Sequence, residues 1–147
     1  MMRFILLVIG LMLFVRCSSD FTESEIEDIK KYGEEMALSF EKEPESVFIH
    51  FEERGDTTNM IESTSNVQLK YIGFYLDGVI FDNTFSDTST TIKVSSLLTG
   101  LQIALPYFGK GGSGYILIPS AQGFGSKPPF GIRKNEIIAY YVEILDY

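Results

Sequence analysis

An Asp-Gly pair at residues 77–78, set between two segments of extended character, constrains this fold more than any other feature of the chain. Upstream, Val67, Leu69 and Tyr71 alternate with Gln68 and Lys70; downstream, Phe81-Asp82-Asn83-Thr84 resumes an extended pattern. Asp-Gly supplies the backbone freedom of a tight turn and is the strongest short-range signal for two antiparallel strands. Ile92 and Val94 predict a short strand, Tyr115-Ile116-Leu117-Ile118 an apolar strand stopped by Pro119, and Ile138, Tyr140, Val142 and Ile144 one face of a last strand. Leu97, Leu98, Leu101 and Leu105 carry the spacing of a short helix ended at Pro106. A polar loop at 86–91 and a Gly/Pro-rich loop at 119–131 connect these segments. The pattern predicts an α+β domain, an antiparallel sheet with one short helix.

Charge divides the rest of the chain. Residues 63–147 hold 6 acids and 6 bases, whereas 17–62 hold 14 acids and 4 bases, a net of −10. In that acidic arm Thr22-Glu23-Ser24-Glu25 fits a capping box, and Ile26, Ile29, Met36 and Phe40 follow at helical spacing. A helix of about four turns is expected up to the Glu43-Pro44 break, then a strand in which Val47, Ile49 and Phe51 alternate with Phe48, His50 and Glu52. The arm reads as a solvated spacer and edge element. Ahead of it, Arg3 precedes twelve uncharged residues, Phe4 to Val15. That run is short for a membrane span and suits a signal peptide. Cys17 follows Arg16 and resembles the lipidation cysteine of bacterial lipoproteins; an ordinary signal peptide or an uncleaved anchor are the alternatives. The expected organisation is a signal peptide over 1–16, a lipid-anchored acidic arm over 17–62 and the β domain over 63–147.

Composition removes several functions. The formal net charge of −8 argues against nucleic acid as a partner, because phosphate binding needs clustered Lys and Arg. One His and one Cys leave no internal disulfide, no multi-His or multi-Cys zinc site, and only His50 for any His-dependent catalytic centre. His50 is more simply a strand residue. Gly109-Lys110-Gly111-Gly112-Ser113-Gly114 matches a dinucleotide fingerprint, but a helix is expected before it and a strand after, the reverse of the order that holds a pyrophosphate. Neither a cofactor nor a metal is expected.

The order of elements and the residues on them resemble the FKBP-type peptidyl-prolyl cis/trans isomerases. Val67-Gln68-Leu69-Lys70-Tyr71-Ile72-Gly73 is similar to the family's first central strand with its Tyr-x-Gly. Leu76-Asp77-Gly78-Val79-Ile80-Phe81-Asp82-Asn83-Thr84 follows its Asp-Gly…Phe-Asp-Ser/Thr stretch. Leu97-Leu98-Thr99-Gly100-Leu101 stands where the family has Val-Ile-x-Gly-Trp, Gly123-Phe124-Gly125 where its loop carries Tyr-Gly, and Val142-Glu143-Ile144-Leu145 in its closing strand. The resemblance covers about residues 63–147, and the membrane-anchored members share the upstream acidic helix.

The resemblance implies a twisted sheet wrapped on one short helix, and a proline pocket lined by Tyr71, Phe81, Leu97, Leu98, Leu101, Phe124 and Tyr140. Asp82 would be its polar group, held by Tyr71, and the Leu98 N–H would donate to a bound carbonyl; Ile132 would be a further wall. X-Pro segments of client proteins are the implied substrates, with the membrane reached through the lipid anchor and a monomer expected. The chain departs from the family at Leu101 (Trp), Phe124 (Tyr), Tyr140 (Phe) and Arg133-Lys134 (Pro-Pro). The departures at Leu101 and Phe124 keep open a non-catalytic binding module of the same fold; a purely structural lipoprotein is a third class and would have no cleft.

Overall fold

A computed structural model of the chain describes residues 22–42, 47–86 and 90–147. The signal peptide, Cys17, Pro44 and the middle of the 86–91 loop lie outside these residues. No described helix is long and apolar enough to cross a membrane. In chain order the elements are helix α1 (Glu23–Met36), strands β1 (Glu41–Lys42), β2 (Phe48–Glu53), β3 (Asn66–Tyr75), β4 (Ile80–Asn83) and β5 (Thr90–Lys93), helix α2 (Thr99–Ala104), and strands β6 (Ser113–Ile118) and β7 (Ile138–Asp146). The strands form one antiparallel sheet in the order β1-β2-β6-β7-β3-β4, with β5 on the first half of β3.

Alternation along each strand separates two faces. The inner face carries Val67, Leu69, Ile116, Ile118, Val142 and Ile144, packed on Leu101, Ala104 and Leu105 of the α2 segment. The outer face carries Phe48, Leu117 and Ala139, which with Ile137 receive Ile29 of α1, only 1% exposed. The acidic arm is therefore no solvated spacer: its helix is docked by an apolar stripe, with many of its charges left in solvent. Glu25 closes the capping box with Thr22 and also accepts the Ser120 N–H at 2.9 Å, fixing α1 to the segment after β6.

Two boundaries differ from the sequence expectation. The helix stops at Met36 rather than near Pro44, because Ala37 turns left-handed (φ 55°) and Leu38 N–H donates back to the Gly33 carbonyl. Phe40 instead sets its ring edge-on to His50. Likewise Val94 opens a short 3₁₀ turn instead of ending a strand, and Leu97 and Leu98 precede α2. The Gly109–Gly114 run is a crossing point: Gly109 N–H donates to the Arg54 carbonyl, and a Cβ there would strike the Asp56 backbone. Its glycines serve backbone approach.

Candidate active site

Strand β3 forms the floor of the site. Tyr71, Gly73 and Tyr75 share its inner face, and Gly73 pairs with Tyr140 on β7 and Asp82 on β4. The β3–β4 register slips between Gly73↔Asp82 and Phe74↔Ile80, leaving Phe81 as the extra residue of a bulge. Consecutive residues of a regular strand point to opposite faces. The bulge relieves that rule, so Phe81 packs on the aromatic cluster while Asp82 reaches Tyr71.

Four rings meet Phe81 directly or through one neighbour. Its centroid lies 5.0 Å from Tyr75, 5.8 Å from Phe124 and 5.7 Å from Tyr140, the last two edge-to-face; Tyr140 in turn lies 5.7 Å from Tyr71. These are favoured aromatic geometries. Gly73 makes them possible, since a Cβ there would come within 2.7 Å of the Phe81 ring and 2.9 Å of Tyr140. Tyr71 Oη donates to Asp82 Oδ2 at 2.9 Å. Burial, then the Asp82 carboxylate, pushes the Tyr71 hydroxyl up to about 12, and burial also raises Tyr140. Both phenols thus stay protonated, and Tyr71 stays a donor, across the physiological range. Thr84 locks the strand beneath them: its Oγ1 accepts the Tyr71 N–H and its own N–H donates to the Tyr71 carbonyl, each at 2.9 Å.

The structure brings Tyr71, Phe81, Asp82, Phe124 and Tyr140 together. Leu101 is 4% exposed and belongs to the inner core beneath them, with Leu97 and Leu98 half-buried against that core. Leu98 caps the start of α2, so its N–H lies outside the helix ladder. Gln102 holds this corner by donating to the Leu97 carbonyl at 2.8 Å. Ile132 is half-buried in the 119–137 loop and is not among the side chains packed on the inner core.

Tyr75, which the sequence does not single out, and Arg133, marked there only as a departure from the family, belong beside the site. Tyr75 stacks against Phe81, and Arg133 stacks 4.3 Å over Tyr75 while pairing with Asp77 at 2.7 Å. The Arg133 N–H also donates to Tyr75 Oη at 2.9 Å. Arg133 thereby fastens the loop carrying Phe124 to the β3–β4 hairpin. The only signal was the departure of Arg133-Lys134 from the usual Pro-Pro.

Chemically, the arrangement is an apolar, partly exposed aromatic surface with one carboxylate at its edge and a fixed phenol donor. Among the described residues gathered here, no base is hydrogen-bonded to a nucleophile; the one polar pair is Tyr71 with Asp82. It suits a reaction in which an amide twists without covalent change.

Known proteins resemble this chain in sequence and in fold. Two curated relatives, both "FKBP-type peptidyl-prolyl cis-trans isomerase FkpA" of Buchnera aphidicola, are similar to this chain. The protein from the Schizaphis graminum subspecies is 25% identical over 135 residues, 86% of this chain and 53% of its own length. The one from the Acyrthosiphon pisum subspecies is 24% identical over 106 residues, 71% and 44% respectively. The chain spans about half the length of these relatives. Among solved structures, FkpA from Escherichia coli superimposes with a TM-score of 0.73 at 23% identity, over 84% of this chain and 59% of that one. A peptidyl-prolyl cis-trans isomerase from Pseudomonas syringae pv. tomato gives 0.70 at 19%, over 85% and 94%. At those identities the structures speak for the fold, which is the expected FKBP-like sheet and short helix. The sequence profile of the FKBP-type peptidyl-prolyl cis-trans isomerases matches residues 57–145, and the chain belongs to that family.

Proposed function

We propose that this protein isomerises X-Pro peptide bonds of client polypeptides outside the cytoplasm, tethered to a membrane through lipid on Cys17. Rotation about a peptide bond costs ~18–20 kcal/mol because resonance is lost. X-Pro isomerisation accordingly takes tens to hundreds of seconds unaided. The twisted amide is less polar than the planar one, so a water-poor aromatic surface that fits it better than the ground state lowers the barrier. In this reading Tyr71, Phe81, Phe124 and Tyr140 hold the proline ring over Leu101, with Leu97 and Leu98 as walls. Asp82 orients the carbonyl dipole and the Leu98 N–H donates to a bound carbonyl.

The observation that carries this reading is the Tyr71–Asp82 hydrogen bond set against the ring cluster on a bulged strand. A bulge that turns two neighbouring residues toward one site is a functional arrangement more than a packing solution. The test is a protease-coupled assay on proline tetrapeptides with the parent and Asp82→Ala. Asp82→Ala is expected to lower kcat/KM about tenfold, on the order of 1.4 kcal/mol of transition-state stabilisation, with an unchanged melting temperature. Equal activity per folded molecule would reduce Asp82 to a structural role.

The alternative of a non-catalytic module binding proline-containing segments draws on Phe124 and Leu101, which remove a hydroxyl donor and an indole from the family's pocket. It predicts tight binding of proline peptides without turnover. The tether is tested separately: Cys17→Ser should abolish labelled-palmitate incorporation and release the protein from membranes.

A further inference from the structure

The outer face of the sheet carries a second concave surface that the isomerase reading does not use. His50, Tyr115 and Tyr141 stand in one cross-strand row with Ile72, through the pairs His50↔Tyr115, Tyr115↔Tyr141 and Tyr141↔Ile72. Helix α1 covers the sheet beside this row and leaves a cleft of about 580 Å³ walled by Tyr32, Phe74, Tyr115 and Tyr141. Two carboxylates, Glu52 and Asp77, line it, and no Lys or Arg does. Arg133 neutralises Asp77, whereas Glu52 takes part in no ion pair among the described residues and accepts a hydrogen bond from Tyr141 Oη at 2.9 Å.

We propose that this cleft binds a lysine or arginine side chain of an extended apolar client segment. Aromatic faces attract cations through the ring quadrupole, most strongly where water is excluded. The Glu52 carboxylate, in no ion pair among the described residues, adds direct charge complementarity at the wall. The same face already holds one ammonium in this way: Lys70 Nζ lies 5.8 Å from the Phe85 ring, which packs beside Tyr141. The acidic arm, net −10 over residues 17–62, would steer cationic segments toward it.

The cleft and the proline site are linked along the chain by the β3–β4 hairpin, and this part of the inference rests on the isomerase reading. Asp77 and Gly78 line the cleft, Phe81 belongs to the site, and between them Val79 and Ile80 are 48% and 56% exposed. Val79 precedes β4 and Ile80 opens it, on an edge strand of the sheet, so these two exposed apolar side chains would carry an extended segment round that edge from one face to the other. A client held by its cation on the outer face would present a neighbouring proline at raised effective concentration to the inner one.

The test uses the full-length chain and a proline-free peptide of alternating leucine and arginine, with a glutamate-for-arginine peptide as control. Binding is followed by amide chemical shifts. The arginine peptide should perturb Ile72, Phe74, Tyr115 and Tyr141, and the glutamate peptide should not bind. Glu52→Lys should weaken binding at least fivefold. Tyr115→Leu, which keeps the apolar wall and removes the ring, should weaken it as well. Turnover of a neutral proline tetrapeptide should be the same in the parent and Glu52→Lys. KM for a proline peptide extended by the arginine segment should be several-fold lower in the parent alone. Failure of the arginine peptide to bind, equal binding of the glutamate peptide, or shifts confined to the exposed side of α1 would overturn the cleft. Binding without any effect on KM would overturn the path to the proline site. If the parent binds the arginine peptide but turns over no proline peptide, the isomerase reading falls and the cleft stands.

Discussion

Phe124 faces the Phe81 ring edge-to-face at 5.8 Å, and it lacks only a hydroxyl to match the tyrosine usual at its place in the family. A hydrogen bond to substrate contributes about 0.5–1.5 kcal/mol, up to roughly tenfold in rate. Phe124→Tyr is therefore expected to raise kcat/KM several-fold on proline tetrapeptides, because the ring is already placed and half-buried. No gain would show that the loop hydroxyl is dispensable in this chain. A second consequence at this scale concerns alkaline pH. Free tyrosine titrates near 10, while Tyr71 and Tyr141 are each held up to about 12, both first by burial and then by hydrogen bonds to Asp82 and Glu52. Between about pH 10 and 12 the unfolded chain releases protons that the folded chain keeps. The stabilisation is complete below pH 10 and lost as pH rises through that window. Urea midpoints measured at pH 9, 10 and 11 should fall progressively, and less steeply in Tyr71→Phe.

Elements were legible where a local rule decides them and misread where a distant partner does. The hairpin, the capping box and the alternating strands follow from nearest neighbours in sequence. The end of α1 does not, since Met36 to Phe40 keeps helical spacing although Ala37 has already turned left-handed. The bulge at Phe81 leaves no mark in the sequence, because an inserted residue looks like any other until its register is known. Tyr75 and Arg133 meet across 58 positions, beyond the reach of any pattern. The docking of α1 was hidden by its charge: an acidic helix with few apolar residues reads as solvated, yet Ile29 is fully buried. Ile29→Ala should therefore cost about 2–5 kcal/mol, the usual range for truncating a buried isoleucine. A thermal melt checks this, and a loss of under 0.5 kcal/mol would mean that α1 rides on the sheet without supporting it.

At the scale of the whole molecule, residues ahead of 63 supply strand β2 and three side chains to the inner core. Val47 and Ile49 are fully buried and Ile61 is 1% exposed. At about 1.5–3 kcal/mol for each buried side chain, their loss is comparable with the ~5–15 kcal/mol that stabilises a typical domain. A fragment beginning at Ser63 would also leave β6 unpaired on one side, as an exposed edge. Such a fragment is expected to be unfolded or aggregated, as judged by its amide spectrum, whereas one beginning at Cys17 should give dispersed resonances. A well-folded short fragment would return the arm to the status of an appendage.

Strand β3 is hydrogen-bonded along most of its length to β7, and Tyr71 meets Val142, 71 positions downstream. At ~5–20 residues per second of synthesis, about 4–14 s separate the appearance of one from the other on the ribosome. During that interval Val67, Leu69 and Tyr71 have no β7 to lie against, and the central pairing of the sheet cannot close. The nascent chain is thus obliged to stay open for seconds, with its apolar strands exposed to aggregation if that state lingers.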